Sequence, residues 1–104
     1  MEKQTINDIL NMARDVKDII GIKEDIQKIE SAVYSPNYMT KARAVEEIYR
    51  SYPWINLVIS TLPTTSPKIC EPMTDNDYKY ILCVQYKCLH AYETGKLREF
   101  LEKY

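Results

Sequence analysis

The sequence predicts an all-α protein, a small bundle of four to six helices with a long central helix near residues 74–94. Three observations carry this expectation. Apolar residues recur at i, i+3, i+4 and i+7 along most of the chain. Only two glycines, Gly21 and Gly95, are present, too few for a turn-rich β-fold. The five prolines all fall between Pro36 and Pro72, so both ends of the chain are compatible with helices. With 104 residues, 1–104 reads as a single helical domain able to bury a core without staples.

The first helix is expected over 5–20, where Ile6, Ile9, Leu10, Ala13, Val16 and Ile20 make one stripe. Thr5 with Asp8 resembles a capping box. Gly21 is placed to stop this helix in a left-handed conformation, with Ile22 as the apolar contact that follows such a stop. A second helix over roughly 23–34 carries Ile26, Ile29, Ala32 and Val33 on one side. It leaves Lys23, Glu24, Asp25, Lys28 and Glu30 to solvent. The short connection at Gly21 predicts an antiparallel hairpin of these two helices.

Ser35-Pro36-Asn37 breaks the chain. The third helix follows over about 38–51, striped by Tyr38, Met39, Ala42, Val45, Ile48, Tyr49 and Tyr52. Pro53 ends it, because the residue before a proline disfavours the α conformation. Residues 53–62 admit two readings. Pro53 suits the first position of a helix, whereas Leu57-Val58-Ile59-Ser60-Thr61 has strand propensity. A lone strand has no partner in this chain, so a short buried helix is preferred. The alternative is an edge strand that pairs with another chain. Pro63, Pro67 and Pro72 make 63–73 an irregular loop.

Thr74 is expected to cap the long helix, with Asp75 and Asp77 in its first turn where negative charge is favourable. The helix runs to about Thr94, and Gly95 ends or kinks it. Leu97, Phe100 and Leu101 give 96–104 the spacing of a short terminal helix.

Composition limits the functional classes. The net charge is −1, with residues 1–35 slightly acidic and 78–104 slightly basic. A clear basic stripe for reading DNA is missing, and so is the heavy acidity of a nucleic-acid mimic. Cys70, Cys83 and Cys88 are odd in number and lack a disulfide spacing, which predicts free thiols in a reducing compartment. The opening residues lack a secretory pattern, and no apolar run approaches the ~20 residues of a membrane span. These features predict a soluble, cytoplasmic protein without a membrane role, in a cell or in an infected one.

Catalytic and metal chemistry find little support. Cys83 and Cys88 lie about 140° apart around a helix. Cys88 and His90 also diverge, and Cys70 is remote in sequence, so no tetrahedral metal set forms. No nucleophile elbow, phosphate-binding loop or dinucleotide fingerprint occurs. Glu46 and Glu47 diverge on a helix and read as a solvated face. We therefore expect no enzyme activity and no cofactor.

Binding is the better expectation. Nine tyrosines against one phenylalanine offer rigid aromatic area with a polar tip. A low-GC genome, which also enriches Lys and Ile, accounts for the same excess without a function. The long helix is apolar nearly all round, as is 53–62, and a domain this small has room to enclose one such helix but hardly two. The expected overflow is an exposed patch of Trp54, Tyr80, Val84, Tyr86 and the stem of Lys87, contacting a protein partner or a second copy of the chain. The alternative is a nucleic-acid or nucleotide-binding module. In it Lys79, Lys87, Lys96, Arg98 and Lys103 interleave with the C-terminal tyrosines, and Lys41, Arg43 and Arg50 add a second edge. A structural subunit of a larger assembly is the third reading. By analogy of size and helix content, small adaptors, inhibitors and immunity-type proteins of phages and mobile elements look similar.

Overall fold

Helix starts in this chain follow local chemistry. Asn37 takes an extended conformation, and its side-chain oxygen accepts from the Met39 amide at 2.8 Å. Pro53 occupies the start of its helix, where its missing N–H costs nothing. Thr74 and Asp77 form a reciprocal capping box. The structure, a computed structural model, describes residues 2–14, 19–61 and 74–103. It contains α1 (Lys3–Met12), α2 (Ile19–Tyr34), α3 (Tyr38–Ser51), α4 (Pro53–Ser60), α5 (Asp75–Glu93) and α6 (Leu97–Glu102), and no strand among the described residues. The expected all-α bundle is therefore the fold, and 53–62 is helical through Ser60.

The N-terminal region departs from expectation. The first helix ends at Met12 with Ala13 as its cap, and α2 begins at Ile19, so Gly21 lies inside a helix. The reason is tertiary. Ile22, Ile26, Ile29 and Ala32 form a buried stripe that packs on α5, and extending that helix through Gly21 supports its first buried turn. Such packing outweighs the ~1 kcal/mol that glycine costs within a helix. The expected hairpin is also not formed, since among the described residues α1 and α2 do not pack on each other. α1 packs on α4 and α6 instead, burying Ile6 and Ile9 there.

The hairpin in this fold is α2–α3, turned at Ser35-Pro36-Asn37. Tyr52, just after α3, reaches back to Asp25 in the N-terminal half of α2, which with the turn at the other end fixes the pair as antiparallel. α3 runs parallel to α5. Lys41 and Asp75 meet near the beginnings of both helices, and Gln85 Nε2 donates to the Val45 carbonyl further along at 3.2 Å. α5 is the centre, packing on α2, α3, α4 and α6. It buries Ile81, Leu82, Val84, Gln85, Cys88, Leu89 and Ala91, which occupy more than one face.

Two charged residues expected in solvent are buried. Asp25 is 5% exposed and receives the Tyr52 hydroxyl. Lys41 is 3% exposed. Its ammonium donates to the Ser35 carbonyl and lies 3.1 Å from the Asp75 carboxylate. Burial of these ions is tolerable because each has a charge-assisted partner. Met39, expected in the α3 stripe, is mostly exposed, and Tyr38 packs edge-on against Tyr78 at 5.1 Å.

α5 ends as its sequence implies. Gly95 has φ of +73°, the Lys96 amide donates to the Ala91 carbonyl at 2.8 Å, and the Gly95 amide to the Tyr92 carbonyl at 3.1 Å. This paired arrangement satisfies two helix-end carbonyls and turns the chain sharply into α6. Leu97 and Leu101 then bury against the core.

Candidate functional site

The Gly95 turn sets α6 beside the C-terminal half of α5 and creates a concave strip between them. One wall comes from α5, where Tyr86 and His90 stand one turn apart with nearly parallel rings, 6.1 Å between centroids and 5° between planes. Residues four apart share a helix face, so the pairing follows from spacing. The other wall comes from α6, with Phe100 half-buried and Lys103 exposed. Lys87 and Lys96 complete the rim around a volume of about 310 Å³. Glu99 supplies the one acidic side chain of the lining.

The expected interface residues separate. Trp54 is 1% exposed, its ring 5.9 Å from that of Tyr92, and Val84 is 5% exposed. Neither offers surface to a partner, which corrects the expectation that one apolar helix would overflow. The four other helices enclose α4 and α5 between them: α1 and α3 cover α4, while α2, α3 and α6 cover α5. Tyr80 is exposed at 38%, toward the beginning of α5. Tyr86 and Lys87 belong to the groove.

The expected nucleic-acid contacts separate too. Lys96 lines the groove. Lys79 sits eight residues before Lys87, about 12 Å along the helix axis. Arg98 lines a different hollow with Leu10, Arg14 and Tyr92. The second basic edge dissolves: Lys41 is buried, and Arg50 pairs with Glu46 at 2.7 Å. Arg43 faces a shallow groove between α2 and α3 that also holds Glu24 and Glu47.

Sequence reasoning named Lys103 as a basic contact but missed His90 and Phe100 as groove residues. The i, i+4 relation of Tyr86 and His90 was readable, but the return of α6 against it depends on the Gly95 turn.

The cysteines diverge as their spacing implies. Cys83 is exposed and Cys88 buried. Burial pushes the Cys88 thiol up to about 12, so it stays protonated at neutral pH. Burial, with Cys88 nearby, also raises the Tyr49 phenol. Cys70 lies outside the described residues. No cluster of three or more His, Cys, Asp or Glu suited to a metal occurs among the described residues. No helix among them is long and apolar enough to cross a membrane.

Comparison of the chain with protein-family models, curated proteins and solved structures finds no match.

Proposed function

We propose that this protein is a non-enzymatic binding module that engages a protein partner through the outer side of α5 and its groove with α6. The observation that carries the reading is the convergence of Lys87, Lys96 and Lys103 around the Tyr86–His90 stack and Phe100 in one concave strip. Aromatic rings give contact area at low entropic cost, and flanking charges give orientation and specificity. Cys88 is buried and protonated and Cys83 is exposed apart from it, so among the described residues neither thiol is a nucleophile held by a base, which supports binding over catalysis.

Partner contact at this face is tested by photo-crosslinking. A photoreactive residue is placed at position 87 and, separately, at position 47 on the α2–α3 side. Extracts of the producing cell are then irradiated. One protein crosslinked from position 87 and not from position 47 supports the reading. Equal crosslinking from both positions, or crosslinks to nucleic acid alone, overturns it.

A further inference from the structure

We infer that the segment bound in the α5–α6 groove is acidic, a short stretch of Asp and Glu around one large apolar side chain. The inference rests on the protein-binding reading above and names its partner class.

Charge supplies the first argument. The chain as a whole is net negative, yet the groove carries three lysines against one glutamate. Elsewhere Lys23 lies 3.9 Å from Glu93, Lys28 3.9 Å from Asp25 and Lys41 3.1 Å from Asp75. Lys87, Lys96 and Lys103 make no ion pair among the described residues. Three ammonium groups against one carboxylate around one concavity hold a positive potential that a complementary anion lowers.

Shape supplies the second. A volume of about 310 Å³ admits one or two large side chains rather than a folded surface. Ala91 and Phe100 give it apolar ground, and the Tyr86–His90 stack gives a flat wall. An amphipathic segment laid between two helices fits this form: its apolar residue inserts, and its carboxylates meet the lysine rim.

The distribution of charge also selects the class of polyanion. A single nucleic-acid strand repeats its phosphate at every nucleotide and needs a continuous basic track. Here the track stops. Lys79 is about 12 Å from Lys87 along α5, Arg98 opens onto another hollow, and Lys41 is buried against Asp75. A compact cluster of carboxylates matches three lysines without needing more.

The test is a titration of the full-length, isotope-labelled protein, followed by amide NMR shifts. Three probes are used: a short peptide with one Leu flanked by Glu, the same peptide with Gln for each Glu, and a short thymidine oligonucleotide. The expected result is shifts confined to the amides around Tyr86, His90, Lys96 and Phe100, with the Glu peptide binding about tenfold or more tightly than the Gln peptide. Lys96→Glu with Lys103→Glu should weaken the Glu peptide by at least about tenfold, and Arg43→Glu should not. Lys96 and Lys103 are exposed, so their replacement leaves the core intact. Equal binding of the Glu and Gln peptides overturns the acidic preference while the protein-binding reading stands. A stronger response to the oligonucleotide overturns both. No groove shift with any probe at millimolar concentration overturns the acidic segment, and the crosslinks from position 87 then decide the protein-binding reading separately.

Discussion

The Tyr52 hydroxyl donates to the Asp25 carboxylate at 2.5 Å, and both residues are buried. Tyr52 stands at the junction of α3 and α4, so this one bond ties three helices together at the end of the α2–α3 hairpin away from its turn. A hydrogen bond to a charged acceptor contributes about 1.5–3 kcal/mol, more than a neutral one. Tyr52→Phe should therefore destabilise by roughly 2 kcal/mol in urea unfolding. Asp25→Asn keeps an acceptor and should cost less. A Tyr52→Phe variant as stable as the parent would show that the bond adds nothing.

A second tyrosine works over a longer range. The Tyr92 hydroxyl donates to the Ala13 carbonyl at 2.8 Å, so the end of α1 is capped from α5. Burial raises this phenol, so it remains a donor at neutral pH. Tyr92→Phe should cost about 1 kcal/mol. Faster amide exchange should appear chiefly in α1, the helix that loses its outside partner. Uniformly faster exchange across all helices would argue against a local role.

Gly95 isolates a backbone effect. At φ of +73°, a Cβ added there meets nothing within 4 Å. Gly95→Ala should then cost about 1–2 kcal/mol from left-handed strain alone. Gly95→Asn should cost less, because Asn tolerates that conformation better. Loss of the turn also moves α6 away from α5, so binding at the groove should weaken along with stability. Calorimetry on both variants checks the order.

Alkaline pH tests the interior around Cys88. Its thiol rises from an ordinary value of 9.0 to about 12 through burial. A folded value above the unfolded one means that the stabilisation is complete below pH 9. It is lost progressively as pH rises from there to about 12. By pH 10 the thiol alone should cost roughly 1 kcal/mol. Cys88→Ala removes this contribution, so its stability should fall less steeply over that range than the parent's. Parallel pH profiles for the two proteins would show that the thiol does not carry the effect.

Legibility in this chain follows the range of the interaction. The sequence alone left 53–62 between helix and strand, and it determined the all-α class, the α3 boundaries, Thr74 as the cap of α5 and the stop at Gly95. Each of these is decided within a few residues by capping, proline geometry or apolar period. Gly21 misled because glycine reads locally as a stop, while the buried stripe beginning at Ile22 holds the helix through it. Tertiary structure alone decided that Trp54 and Val84 are covered, that Asp25 and Lys41 are buried with partners, and that α1 packs on α4 and α6. It also decided that Tyr86 and His90 face Phe100 and Lys103 across a groove. The physical reason is that helical periodicity reports which residues share a face. What covers that face depends on contacts between segments far apart in sequence, and no local propensity encodes them.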